Sequence, residues 1–181
     1  MHSLQYIQQS LTPDEELVHA GYFHWMYTLQ AYMNIVFGVV FGLLILVFAI
    51  KMEPLMFGNP AFQDLSVIQK VQALHPGIKI VTFFVILLGI LKFVQMMIVK
   101  ATTEIAITNK RLVYKRGLVA RYVGEMSIDR IEGVNVLQGI LGRIFDYGRV
   151  MVRGMGVGEV VLPPIAEPIK FRQAIEKAKS I

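Results

Sequence analysis

Two long stretches that are nearly free of charge constrain the fold of this chain more than any other feature. No lysine, arginine, aspartate or glutamate lies between Ala20 and Ile50, and residues 29–50 are strongly polar only at Gln30 and Asn34. At about 1.5 Å per residue, a helix of this length crosses a hydrocarbon core about 30 Å thick. Residues 78–99 form a second apolar stretch with few polar positions. The sequence therefore predicts two transmembrane helices.

Positive charge gives these spans a direction. Of the 18 lysines and arginines, 14 lie from Lys100 onward, two lie in residues 51–77, and none lies in residues 1–28. Because membrane proteins keep lysine and arginine on the cytoplasmic side, residues 100–181 are predicted to be cytoplasmic. A helical hairpin then places residues 1–28 on the same side and the loop of residues 51–77 outside.

Weaker patterns flank the spans. Thr12 and Glu15 have the spacing of a helix-capping box, which leaves open whether residues 16–25 continue as a helix or run extended. Apolar residues near helical spacing in residues 62–74 predict a short amphipathic helix on the outer interface. Aromatic residues at the start of the first span are typical of an interfacial belt, and we interpret two nearby histidines in the same way. These residues are Tyr22, Trp25, Tyr27, Tyr32, His19 and His24.

Short strands replace the apolar stretches after residue 99. A final segment opened by Pro168 places Phe171, Ala174, Ile175 and Ala178 on one helical stripe. The predicted fold class is a membrane α-helical hairpin of two transmembrane helices joined to an α+β cytoplasmic domain. Alternating residues bounded by glycines predict the strands at residues 104–107, 111–116, 119–126, 131–137, 149–153 and 159–162.

Several segments carry a resemblance to a known family. The run Ile107–Leu112 before Gly117, the segment Gln138–Val150, and Leu11–Glu16 followed by His24-Trp25 resemble the bacterial membrane-anchored pleckstrin-homology (PH)-like domains. Two hydrophobic spans before the domain are also typical of that family. The resemblance implies a PH-like antiparallel β-barrel or sandwich capped by the C-terminal helix, at the inner face of a prokaryotic cytoplasmic membrane. It implies little about activity, because this fold hosts many functions.

A cluster of cations after the second span is the first candidate site. In PH-like domains the corresponding edge often faces lipid phosphates, and the resemblance transfers this role to the cluster. Each cation near an anionic leaflet contributes about 1 kcal/mol. The alternative is a solvated loop that only reflects the cytoplasmic enrichment of positive charge. The cluster consists of Lys110, Arg111, Lys115, Arg116 and Arg121.

A polar seam inside the spans is the second candidate. Four residues of the first span recur every four positions and share a face, and its two glycines allow another backbone to come close. Polar groups are costly in hydrocarbon, so we expect the seam residues to face each other or a neighbouring chain. Independent snorkelling of Lys92 is the alternative. The seam comprises Gln30, Asn34, Gly38, Gly42, Gly89, Lys92 and Gln95.

The sequence offers little catalytic chemistry. The chain has no cysteine, and neighbouring positions assemble no catalytic set or metal cluster. The glycine-rich segment Gly154–Gly158 predicts a wide hairpin turn, because no helix follows it as in a phosphate loop. A net charge of +5 spread over strands argues against nucleic acid. We therefore expect no enzymatic activity, metal, cofactor or small-molecule substrate.

The predicted function is a non-enzymatic interaction or scaffold module tethered to the membrane. It acts through protein contacts and anionic lipid, with a second copy of itself or another membrane protein as partner. The alternative is a small subunit of a membrane transporter or membrane enzyme that uses the intramembrane polar residues. The two hypotheses differ in the role of the intramembrane polar residues, which are required for activity in the second and contribute only to helix packing in the first.

Overall fold

A computed structural model describes residues 4–57, 62–117, 122–155 and 158–180. The chain divides between Thr28 and Leu29, and again between Met96 and Met97, into two compact units. One unit is a helical hairpin. The other, the β unit, holds the strands, and it combines residues from before and after the hairpin.

The hairpin is built from helices longer than the predicted spans. Helix α2 runs from Trp25 to Phe57 and helix α4 from Pro76 to Thr102, against the predicted residues 29–50 and 78–99. Lysine and glutamate just past the apolar run of α2 are good helix formers, so they end the apolar stretch without ending the helix. Both helices are long and apolar enough to cross a membrane. Only 11% of the most apolar 18-residue stretch of α2 is buried, and only 6% of that of α4.

A short helix lies between them. Helix α3, Val67–Ala73, falls inside the predicted residues 62–74. Ser66 accepts a hydrogen bond from the backbone N–H of Gln69, and the Gln69 side chain accepts one from the backbone of Ser66. This reciprocal capping box fixes the start of the helix.

Glycines bring α2 and α4 together. A β-carbon at Gly89 would lie 2.6 Å from the Asn34 carbonyl oxygen, and one at Gly38 would lie 3.2 Å from the Gly89 Cα. A β-carbon at Gly42 would lie 2.9 Å from the Ile86 Cγ1. The two backbones therefore approach more closely than larger side chains would allow.

The β unit contains two antiparallel sheets. The first has the order β1-β2-β3-β4, and the second has the order β5-β6-β7 with β8 paired to β6. The predicted strands after residue 99 all appear, although residues 119–121 of the predicted third strand lie outside the described residues. The bounds are β1 Leu17–Gly21, β2 Glu104–Thr108, β3 Arg111–Arg116, β4 Tyr122–Ser127, β5 Ile131–Leu137, β6 Tyr147–Gly154, β7 Gly158–Val161 and β8 Ile165–Ala166.

Both sheets share one core with the C-terminal helix. Helix α6 runs from Pro168 to Lys179, as the apolar stripe predicts, and buries Phe171 and Ile175 completely. These side chains join Ile105 and Leu112 of the first sheet and Val152 of the second in one apolar cluster. Antiparallel sheets with a packed helix are consistent with the PH-like α+β fold that the sequence predicts.

The N-terminal segment corrects the predicted domain division. The sequence predicts a separate interfacial segment at residues 1–28, but β1 pairs with β2, with Ala20 opposite Ala106. Helix α1, Gln5–Ser10, buries Ile7 against Ala106 and Val113. Strand alternation places these two residues on the face opposite the main core. The domain predicted at residues 100–181 is therefore completed by residues that precede the hairpin.

The capping box expected at Thr12 is also corrected. The Glu15 carboxylate accepts a hydrogen bond from the Thr12 backbone N–H at 3.2 Å, as such a box requires. A turn at residues 13–14 follows instead of a helix, and the chain continues into β1. Pairing with β2 satisfies the backbone of this segment, and that pairing depends on residues far away in the sequence.

Gly89→Ala tests the close approach of the helices. We expect it to destabilise the hairpin by about 1–3 kcal/mol, because the added β-carbon overlaps the α2 backbone. The measurement is thermal unfolding of the full chain in detergent micelles. Gly133→Ala is the matched control, since nothing lies within 4 Å of a β-carbon there. Equal stability of the two variants would contradict the packing described.

Candidate functional site

Two of the predicted lipid-contacting cations are neutralised within the β unit. Arg111 donates from Nε to Glu15 Oε1 at 2.9 Å and from Nη1 to Glu125 Oε2 at 2.7 Å. Lys115 Nζ lies 2.7 Å from Glu104 Oε1. Side chains paired in this way stabilise the fold. Because the carboxylates balance their positive charge, they attract a lipid phosphate only weakly.

Glu15 is the centre of the larger cluster. Its side chain is 1% exposed, and it also accepts a hydrogen bond from Thr108 Oγ1 at 2.7 Å. Burial raises the pKa of the Glu15 carboxyl. Hydrogen bonds from Arg111 and Thr108 lower this pKa by more than burial raises it, so the net shift is downward. The ionised carboxylate therefore fastens the turn before β1 to strands β2 and β3.

Glu104 has the corresponding role for helix α1. Its carboxylate accepts hydrogen bonds from the backbone N–H groups of Tyr6 at 3.1 Å and Ile7 at 3.2 Å. Lys115 approaches from the other side, with its Nζ 5.1 Å from the centre of the Tyr6 ring. Arg111 and Lys115, two of the five basic residues that the sequence groups together, thus hold the N-terminal segment.

The remaining predicted cations lie far apart. Lys110 is exposed at the turn between β2 and β3, and Arg116 is exposed at the opposite end of β3. Arg116 stands over Tyr122, with its Cζ 5.6 Å from the ring centre. At about 3.3 Å per residue, the length of β3 separates the two cations by some 20 Å. Arg121 lies outside the described residues.

Arg116 lines a cleft beside the last turn of α4. The cleft has a volume of about 640 Å³, and its wall includes Ile98, Val99, Val161 and a second arginine, Arg149 of β6. None of its described lining residues is acidic. Within the described ranges, no carboxylate lies within 4.0 Å of either guanidinium. We call this site the arginine cleft.

Sequence reasoning did not single out Arg149. The residue sits inside the Gln138–Val150 segment that carries the family resemblance, and no local pattern links it to Arg116. The sheets bring the two together, because β6 and β3 belong to different sheets around one core.

Helix α5, Ile140–Ile144, presents an apolar surface to the outside. Ile140 is 81% exposed and Ile144 is 67% exposed. Gly142 is the buried member, and a β-carbon there would lie 2.5 Å from the Tyr147 carbonyl oxygen. The helix thus packs through its glycine and turns its large side chains outward. We call Ile140, Leu141 and Ile144 the α5 patch.

Trp25, the first residue of α2, adjoins this patch. Its ring meets the Phe145 ring edge-on, with centroids 5.6 Å apart. The neighbouring His24 is buried and stacks on Tyr147, with centroids 5.1 Å apart, and burial lowers its pKa. His19 likewise packs edge-on against Phe171. Both histidines were predicted to be interfacial, but they pack against the β unit.

The predicted polar seam forms only in its glycine part. Gly38, Gly42 and Gly89 lie in the contact between α2 and α4, but Gln30, Lys92 and Gln95 are exposed on the outside of the hairpin. Asn34 Nδ2 donates to the Gln30 carbonyl at 2.7 Å and lies 3.5 Å from Met96 Sδ. The Asn34 amide N–H is therefore satisfied by the backbone of its own helix. A seam with a neighbouring chain stays a prediction.

Comparison with known proteins identifies the family. The model of the bacterial PH domain family matches residues 27–179. The chain belongs to the bacterial PH domain family. The match runs from α2 to α6, so the resemblance seen in the sequence is confirmed over both apolar helices and most of the β unit. Searches of curated proteins and of solved structures gave no match.

Membership of the family narrows the function without fixing it. A PH-like domain is typical of a protein-interaction or lipid-binding module. In the described part of this bacterial PH domain, no group of three or more histidine or acidic side chains could hold a metal ion. The surfaces that remain to be explained are the arginine cleft and the α5 patch.

Glu15→Gln tests the buried ion pair. The change should lower the free energy of unfolding by about 1–3 kcal/mol at pH 7, because it removes the buried one of the two carboxylates that pair with the Arg111 guanidinium. A lowered pKa means that the carboxylate stabilises the fold fully above its ordinary value of 4.5, and that this contribution is lost as the pH falls below 4.5. The difference from the unmodified chain should therefore shrink on acidification.

Thermal unfolding of the full chain in detergent, followed by the fluorescence of its single tryptophan, measures this effect. Glu16→Gln is the matched control, because Glu16 is the exposed neighbour of Glu15. A deficit for Glu15→Gln that stays constant down to pH 3 would rule out the assigned role.

Proposed function

We propose that this bacterial PH domain is a non-enzymatic interaction module held at the inner face of a prokaryotic cytoplasmic membrane. Helices α2 and α4 span the bilayer, and the β unit lies against the membrane surface and meets its protein partners there. The observation that carries the proposal is the contact between Trp25 and Phe145, which joins the exposed α5 patch to the first residue of an apolar helix.

The exposure of the hairpin supports the bilayer as its surroundings. A core helix of a water-soluble protein is mostly buried, whereas most large apolar side chains of α2 and α4 are exposed, including Phe41, Phe48 and Phe83. At about 25 cal/mol per Å² of apolar surface, leaving two such helices in water is very unfavourable. A hydrocarbon environment removes that cost.

The start of α2 and the end of α4 lie close together, which supports the proposal that both helices meet the membrane surface at the same level. Lys100 Nζ, near the end of α4, donates a hydrogen bond to Thr28 Oγ1, near the start of α2. Trp25 lies one turn before Thr28, and tryptophan is enriched at membrane–water interfaces. The α5 patch adjoins Trp25, and the same helix carries Arg143, a cation suited to an anionic leaflet.

The alternative function is a small subunit of a membrane transporter or membrane enzyme. One observation favours it: Thr82 of α4 is buried, and its hydroxyl has no hydrogen-bond partner among the described residues. Lys92 and Gln95 would then contact another subunit from the outside of the hairpin. Photocrosslinking from position 92 would capture a stoichiometric partner in this case and lipid in the leading one.

Cysteine labelling tests the topology. The chain contains no cysteine, so Asp64→Cys in the loop and Ser180→Cys after α6 each introduce a single thiol. We expect an impermeant maleimide to label position 64 in intact cells and position 180 only after permeabilisation. The reverse pattern would invert the proposed orientation, and extraction of the chain by alkaline carbonate would refute the spans.

A fluorescent probe tests whether the α5 patch lies in the membrane surface. The full chain carrying Ile144→Cys, labelled with a polarity-sensitive dye, is placed in lipid nanodiscs. We expect blue-shifted emission and strong quenching by lipids spin-labelled near the headgroup, because the patch adjoins Trp25. Lys110→Cys, at the turn between β2 and β3, is the control and should be quenched far less. A blue shift without quenching would indicate a protein partner on the patch.

A further inference from the structure

We propose that the arginine cleft binds the phosphate headgroup of an anionic phospholipid. The inference rests on the proposed function, because it takes the bilayer to surround the helix whose last turn forms one wall of the cleft. The lining of the cleft defines the ligand. Arg116 and Arg149 call for an anionic group, and the apolar wall beside them calls for an apolar part of the same molecule.

The two arginines lack the partners that the other cations of this region have. Arg111 and Lys115 are each matched by a carboxylate at less than 3 Å. Across the residues that the structure describes, Arg116 and Arg149 have no carboxylate within 4.0 Å, although they line the same cleft. A guanidinium is always charged, and its planar fork matches the geometry of a phosphate.

Tyr122 supports one of these arginines. Its ring lies 5.6 Å from the Arg116 Cζ, and Tyr122 also lines the cleft. A cation over an aromatic face keeps its charge while losing part of its freedom. Arg116 is thus held at the cleft without being neutralised.

The apolar wall distinguishes a lipid from free phosphate. Ile98 and Val99 are exposed on the last turn of α4, and Val161 is exposed across the cleft. Inorganic phosphate has no apolar part that could cover these three side chains. A phospholipid that leans against α4 would cover them with its glycerol and upper chain segments while its phosphate reaches the arginines.

The helix end itself does not oppose an anion strongly. The last carbonyl groups of a helix carry partial negative charge and repel anions when they are bare. Here Thr102 Oγ1 donates to the Ile98 carbonyl at 2.8 Å, and the Thr103 N–H donates to the Val99 carbonyl at 3.1 Å. The carbonyls of Ile98 and Val99, two residues that line the cleft, therefore already accept hydrogen bonds.

The cleft has the size that this ligand requires. A volume of about 640 Å³ is in the range of small-molecule sites, enough for a headgroup and glycerol but not for two full acyl chains. The chains would stay in the bilayer alongside α4. A lipid bound in this way links the β unit to the leaflet at a point separate from the α5 patch.

Calorimetric titration of the full chain in neutral detergent tests the assignment. The probes are dioctanoyl-phosphatidylglycerol, dioctanoyl-phosphatidylcholine and inorganic phosphate. We expect saturable binding of phosphatidylglycerol only. Arg116→Gln and Arg149→Gln should each weaken it about fivefold, and the double variant about 25-fold, the loss expected for one and two cations near an anionic lipid. Lys110→Gln removes the same charge far from the cleft and should leave binding unchanged.

A second variant keeps the test decisive if the double variant fails to fold. Val161→Glu places a carboxylate on the exposed wall and should weaken phosphatidylglycerol binding at least as much as one arginine exchange. Equal binding of phosphate and phosphatidylglycerol would assign the cleft to free phosphate and overturn the lipid. Equal binding of both lipids, or an equal loss with Lys110→Gln, would also overturn it. Because topology is read from cysteine labelling, this failure would leave the proposed function standing.

Discussion

The ion pair between Glu15 and Arg111 joins two parts of the chain that the whole hairpin separates. Glu15 precedes α2 and Arg111 follows α4, so the β unit closes only when both ends of the hairpin reach the same place. Strand β1 adds backbone hydrogen bonds to the same junction by pairing with β2. At the same junction, Lys100 Nζ near the end of α4 donates a hydrogen bond to Thr28 Oγ1 near the start of α2. A buried charge is costly without its partner, so the loss of either side chain would destabilise the junction.

Local patterns in the sequence were sufficient for most of the architecture. Strand β3 at Arg111–Arg116 and strand β5 at Ile131–Leu137 begin and end at the predicted residues, because alternation and flanking glycines are local signals. The stripe of α6 and the close glycines of the hairpin are local as well. Strand β1 was missed because its partner lies nearly ninety residues away, and nothing within Leu17–Gly21 indicates that pairing. Strand β8, with two residues, and helix α5, with a single turn, are too short to show a periodic pattern of apolar residues.

The candidate site shows where sequence proximity misleads. Lys110 and Arg116 look like members of one cluster, but a strand of that length places them at opposite ends. In the sequence, Arg111 and Lys115 look available to bind lipid. In the fold, Glu15 and Glu125 pair with Arg111, and Glu104 pairs with Lys115. Arg149 looks unrelated to Arg116 until two sheets fold around one core. A cation's role is therefore decided by which carboxylates the fold brings to it, and a single sequence does not show that.

The pairing of β1 with β2 sets an order of events during synthesis. Residues 17–21 leave the ribosome first, yet their partner strand is made only after both apolar helices have been translated. In the proposed topology, β1 can find β2 only if the hairpin has inserted with both of its ends on one side. A chain inserted with one helix left behind would hold Glu15 and Arg111 on opposite sides of the bilayer, and its β unit could not close. In that topology, closure of the β unit therefore depends on the insertion of both helices, because strand pairing and the ion pair need both ends of the hairpin on one side.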